Sequence, residues 1–155
     1  MKQSGFTLLE VLVAVLVLSI GLLGLAGLLA SSIRNNQSAY QRTQATWLAY
    51  DIVDRMRVNR TAALDSSQPY DTALGSPATC SATPNLSGAM AAQDLTGWKN
   101  LLACALPAGD GAVDVRADRT VTVTVQWNDS RGTGGETGNA LQGDDEQQFV
   151  IQTQL

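Results

Sequence analysis

Val11–Ala30 reads VLVAVLVLSIGLLGLAGLLA, twenty consecutive residues without a charged side chain. At about 1.5 Å of rise per helical residue, that run crosses a hydrocarbon core of roughly 30 Å. A secretory signal peptide is a poor fit, because its apolar region is shorter and ends at a small-residue cleavage site. Here the apolar run passes straight into a polar, helix-patterned stretch, so the sequence predicts a retained anchor. Lys2 precedes the span, and positive charge on that short flank favours keeping it on the cytoplasmic side. The bulk of the chain then lies across the membrane.

Glu10 stands at the edge of this run, behind Phe6-Thr7-Leu8-Leu9. An ionisable group at membrane depth is costly unless paired, which makes it a candidate for function. The helix macrodipole tolerates a carboxylate in a first turn. It gives no reason for an apolar tetrapeptide in front of it. Gly21, Gly24 and Gly27 recur three apart within the span, a spacing that permits close helix contact and also weakens the helix interior.

Gly5-Phe6-Thr7-Leu8-Leu9-Glu10, after a short leader with a lysine and before a continuous apolar helix, resembles the type IV prepilin signature. The resemblance implies a cut by prepilin peptidase between Gly5 and Phe6 and N-methylation of Phe6. It also implies that Glu10 is the assembly glutamate, pairing with the new N-terminal amine of a neighbouring subunit. It divides the chain into a leader (1–5), a membrane-spanning and assembly half of the helix (6–30), and a periplasmic head that includes the amphipathic rest of the helix (31–155).

The 155-residue chain carries a formal charge of −4. Five of its arginines, Arg34, Arg42, Arg55, Arg57 and Arg60, lie early, and its acidic residues cluster later, from Asp94 to Glu146. With no basic tract to displace counterions, nucleic acid is not an expected partner. There is no histidine, so the commonest general base and metal ligand is missing. No nucleophile elbow or phosphate-cradling loop is present. Asp110, Asp114 and Asp118, or Asp144-Asp145-Glu146, do not follow a calcium-loop pattern. The expectation is a non-enzyme without cofactor or metal. Cys80 and Cys104 are too few for a zinc site and suit a disulfide in an exported domain.

Beyond the span the helical pattern continues. Ile33, Tyr40 and Trp47 lie seven apart, and Leu48, Ile52 and Met56 extend a stripe expected to pack on the head. A helix from Phe6 to about Asn59 follows, closed by Arg55, Arg57 and Arg60, whose charge suits a C-terminus. Asn59-Arg60-Thr61 also matches the short glycosylation sequon. Residues 61–90 are turn-rich and read as a connecting loop with Cys80. Ala91–Leu106 carries Leu95, Trp98, Leu101 and Leu102 at helical spacing, with Cys104 in its last turns. Thr120–Trp127, TVTVTVQW, alternates strictly and predicts a strand with Val121, Val123, Val125 and Trp127 on one face. Gln147–Gln154 predicts a second strand with Phe149 and Ile151 inward, and Ala112–Val115 a short third. The Gly-rich stretch 128–145 connects the two clear strands. The predicted class is α+β, a long N-terminal helix laid on a small antiparallel sheet.

The stretch from Tyr50 to Arg60, the two cysteines around a Leu95/Trp98/Leu101 helix, and the valine-rich strand ending at Trp127 resemble PilV-type minor pilins. Major pilins commonly have proline where this chain has Gly27 and place their disulfide nearer the C-terminus. The resemblance therefore implies a minor pilin that helps to prime pilus assembly at or near the tip, in the inner membrane before assembly and in the fibre after it. Implied partners are other minor pilins, the major pilin, the inner-membrane assembly platform, prepilin peptidase and a tip adhesin. The alternative is a minor pseudopilin of type II secretion, which shares the processing site and the long helix.

Overall fold

The computed structural model describes residues 5, 7–130 and 146–155. Lys2, Phe6, Asp144, Asp145 and most of the Gly-rich connection lie outside the described residues. The chain forms one long helix, α1 (Leu8–Val58), a single turn, α2 (Arg60–Ala63), a second full helix, α3 (Met90–Ala105), and three strands: β1 (Asp110–Val115), β2 (Thr120–Asn128) and β3 (Glu146–Gln154). The strands form an antiparallel sheet in the order β1-β2-β3. The predicted α+β architecture is the observed one.

α1 runs for 51 residues, about 77 Å. Thr7 caps it: its Oγ1 accepts from the Glu10 backbone N–H at 3.3 Å. This offsets one of the donors that every helix start leaves without a partner. The three glycines of the apolar half do not interrupt it. At the other end Arg55 and Arg57 occupy the last turn, whereas Arg60 opens α2 and donates to the Leu155 carbonyl at 2.9 Å. Arg60 thus ties the C-terminus of the chain rather than closing α1.

β2 is the centre of the sheet, and its alternation becomes alternation in burial: Val121, Val123, Val125 and Trp127 are all buried. Phe149 and Ile151 of β3 pack on the same core, as expected from their spacing. β1 starts two residues earlier than predicted, because Asp110 and Gly111 pair with Gln126 and Val125. Gly111 is required there. A Cβ would come within 2.9 Å of the Trp98 ring and 2.7 Å of Leu102 Cδ1.

The expected core stripe on α1 needs correction. Ile33, Tyr40 and Trp47 are exposed, and the buried residues are Gln41, Ala45, Ala49, Ile52, Val53 and Met56. The reason is geometric. At about 100° per residue, Trp47 sits some 160° from both Ala45 and Ala49. The two alanines lie on the face turned to the shared core, where small side chains allow close contact, so the aromatic line points away. Trp98 of α3 locks this packing: it is fully buried and its Nε1 donates to the Leu48 carbonyl at 2.8 Å.

The connection between α2 and α3 is held by side chains rather than by regular structure. Asp110 accepts from the backbone N–H groups of Gly75 (2.8 Å) and Ser76 (3.2 Å) and pairs with Lys99 Nζ at 3.3 Å. Asn100 mimics a strand, accepting from Ser81 N at 2.8 Å and donating to Ser81 O at 3.1 Å. Cys80 and Cys104 are joined by a disulfide, the pairing expected from the sequence. Thr72 makes two backbone hydrogen bonds with Val113, covering part of the outer edge of β1.

Candidate assembly surface

The two halves of α1 meet different surroundings. From Leu8 to Leu29 every leucine, isoleucine and valine is between 51% and 83% exposed. Around Gly21, Gly24 and Gly27 an added Cβ would meet nothing within 4 Å. Ser19 returns its hydroxyl proton to the Val15 carbonyl at 2.7 Å, so the one hydroxyl in the span is satisfied within the helix. A segment this apolar with all its backbone bonds internal can leave water only for lipid or for other helices.

Glu10 lies in the first turn, exposed, beside a shallow groove lined by Val11, Ala14, Val15 and Leu18. Such i, i+4 ridges and grooves are where a second helix interlocks. Gly5 is described and exposed. Phe6, the other half of the expected cleavage junction, falls outside the described residues. The structure thus places Glu10 and the apolar surface on one rod, with Cys80 and Cys104 far along the chain in the head.

In the head a polar network joins α1, the connection and α3, and the sequence reading had missed it. Arg55 Nε donates to Asp51 Oδ2 at 2.9 Å, and its guanidinium lies 3.7 Å from Asp94. The buried Tyr70 hydroxyl donates to Asp94 Oδ2 at 2.5 Å and accepts from Asn59 Nδ2 at 3.1 Å. Burial, then the hydrogen bond to Asp94, push the Tyr70 phenol up to about 12. The i, i+4 spacing of Asp51 and Arg55 was legible; Tyr70, in irregular chain, offered no period to read.

The acidic residues weighed for calcium have other tasks. Asp110 holds the connection, Asp114 pairs with Arg116 at 3.2 Å, and Asp118 accepts from Thr120 N at 3.0 Å, which lowers its carboxyl below the usual range. Glu146 accepts from Gln126 Nε2. Among the described residues no three acidic or cysteine side chains are grouped to hold a metal.

Residues 1–26 match the prokaryotic N-terminal methylation motif, and residues 27–96 match the type IV pilin Tt1218 family. The chain belongs to the type IV pilin superfamily. No curated protein and no solved structure matches it. As a type IV pilin it is a structural subunit, processed by prepilin peptidase and assembled with other pilins. The methylation motif and the long apolar helix of this pilin fit a membrane anchor that later enters a fibre.

Proposed function

We propose that this chain is a minor pilin of a type IV pilus, of the PilV type, which primes fibre assembly with other minor pilins at or near the tip. Prepilin peptidase cuts between Gly5 and Phe6 and methylates Phe6. Residues 6–30 then anchor the subunit in the inner membrane, with the head (31–155) in the periplasm, until extraction into the fibre. Glu10 pairs with the N-terminal amine of a neighbour, which offsets the cost of a carboxylate at low dielectric and sets axial register. A tip adhesin, the major pilin and the assembly platform are the further partners in this reading.

The observation that carries it is the apolar half of α1, capped by Thr7 and headed by Glu10, which touches nothing in its own subunit. The disulfide between the connection and α3, ahead of the sheet, supports the minor rather than the major class.

Deletion of the gene, scored for surface pili, twitching motility and exoprotein secretion, tests this. Fewer pili and lost motility are expected. Loss of secretion with intact pili would instead assign the chain to a type II secretion pseudopilus. Mass measurement of the purified protein tests the processing: the mature species lacks Met1 to Gly5 and carries one added methyl group, and an intact N-terminus refutes it.

A further inference from the structure

The two edges of the sheet are treated differently. The outer edge of β1 is bonded to Thr72, whose N–H donates to the Val113 carbonyl at 3.0 Å and whose carbonyl accepts from the Val113 N–H at 2.9 Å. Among the described residues nothing pairs with the outer edge of β3. The ladder shows which backbone groups that edge presents. The Arg116 N–H donates to the Thr120 carbonyl at 2.9 Å and the Leu155 N–H to the Arg119 carbonyl at 3.2 Å. Even-numbered residues of β2 therefore turn their backbone groups to β1 and odd-numbered ones to β3. The register sets Gln147, Phe149, Ile151 and Thr153 against the odd-numbered set. The N–H and C=O groups of Gln148, Val150 and Gln152 are left pointing outward.

Native sheets blunt such an edge with lysine, proline, a bulge or a very short strand. β3 uses none of these. It runs for 9 residues in unbroken register, and its charge is confined to Glu146 at its start. The side chains of its outer face do not screen the backbone either. Gln148 Nε2 donates to Gln126 Oε1 at 2.9 Å and Gln152 Nε2 reaches Thr122 Oγ1 at 3.5 Å, both back across β2. On the inner face Phe149 and Ile151 pack on the core but are only half-buried, so the apolar layer is open on this side.

A second copy of the chain does not fit this edge. α1 runs antiparallel to β2, because Ser38 bonds Asp129 just past the end of β2 and Arg60 bonds Leu155 opposite its start. The two-fold axis of an antiparallel β3–β3 pair stands perpendicular to the sheet and reverses α1, which two chains anchored in one membrane cannot do. A parallel pair at equal depth sets each outward residue against itself, whereas a parallel ladder needs an offset of one residue. We infer that the outer edge of β3 accepts an extended, uncharged segment of a different polypeptide as a fourth strand, with apolar residues at alternate positions beside Phe149 and Ile151. This rests on the proposed anchoring and assembly of the chain, and it adds a contact that α1 does not make.

The test follows amide exchange of the full-length chain, isolated in detergent and in sheared pili. In the isolated chain Phe149 and Ile151 should be protected while Val150 and Gln152 exchange freely. In pili Val150 and Gln152 should slow by at least about tenfold. A photo-crosslinking benzophenone amino acid at Gln152 should form adducts in pili with an extended segment of a different chain. Val150→Pro removes an N–H that β2 does not use, a setting in which an edge strand tolerates proline. It should leave thermal unfolding close to that of the parent and lower incorporation at least about tenfold. Val150→Lys, which keeps the backbone group but puts a charge on the edge, should do the same. Protection of Val150 and Gln152 in the isolated chain, their free exchange in pili, adducts to a second copy, a helix or lipid, or undiminished incorporation of either folded variant would overturn the inference and leave the assembly role standing. Absence of the unsubstituted chain from pili would refute that role, and the added strand with it.

Discussion

The two halves of α1 share one backbone and follow opposite rules. From residue 8 to 30 the helix is apolar on every side and buries nothing. From Gln41 to Met56 it is polar over much of its surface and buries one narrow face, at whose centre are two alanines. Total hydrophobicity therefore says little about where the folded core lies. Which face of the helix packs is set by where the head meets it, and Ile33, Tyr40 and Trp47 are left exposed.

That contrast is best broken by like substitutions in each half. Trp98→Ala removes the side chain that fixes α3 and β1 against α1 and should cost about 3–5 kcal/mol, read as a large fall in the urea midpoint of the detergent-solubilised protein. Leu22→Ala, in the other half, should leave that midpoint within about 0.5 kcal/mol. A comparable loss at both positions would mean that the apolar half contributes to the fold of the head.

Reduction of the Cys80–Cys104 bridge, which closes a loop with a sequence separation of 24, should cost about 3 kcal/mol. The change belongs to the head alone. Helix content of the apolar half, followed by circular dichroism of the thermally unfolded head in detergent, should persist.

Tyr70→Phe removes the donor to Asp94 and should cost about 1–3 kcal/mol. It also gives a pH signature. The folded phenol titrates at about 12 against 10.0 for an ordinary tyrosine, so the unfolded chain loses its proton first. The stabilisation is complete below pH 10 and is lost as pH rises through about 12. Alkaline melting curves of the parent protein should fall across that window more steeply than those of Tyr70→Phe. Parallel curves would show that the phenol is not held in this network.

The smallest expected change is Asp118→Asn in the β1–β2 turn, a barely measurable shift of the unfolding midpoint, since this exposed carboxylate only caps Thr120. Because its folded carboxyl titrates below the ordinary value, what it contributes is present above that value and is lost as pH falls. A stability change larger than that of Tyr70→Phe would invert the ranking.

Much of this architecture is legible in the sequence. The apolar span, the strand Thr120–Trp127 and α3 each repeat a local period, and period survives in any context. The azimuth at which α1 meets the sheet does not. Ile33, Tyr40 and Trp47 are larger than Ala45 and Ala49, yet the small pair is the one that is buried. Asp110, Lys99 and Tyr70 were opaque for another reason. Their partners lie 24 to 35 residues away in the most distant cases, joined through irregular chain, where no spacing rule operates. Glu10 and its apolar helix were legible from composition and order alone, whereas the exposure of Ile33, Tyr40 and Trp47 needed the fold to show it.

An unbroken helix from Leu8 to Val58 is also a mechanical element. Tension between the embedded end and the head runs along a single column of i to i−4 hydrogen bonds. The sheet and the cysteine-closed loop hang beside that column, off the line of force. The weakest segment of the column is the one with Gly21, Gly24 and Gly27, each costing about 1 kcal/mol of helix propensity relative to alanine. Under load the rod should lengthen there first, as a compliant link, while the head keeps its shape. Amide exchange fastest between residues 20 and 28 in extracted pili would locate that link, and uniform protection along α1 would remove it.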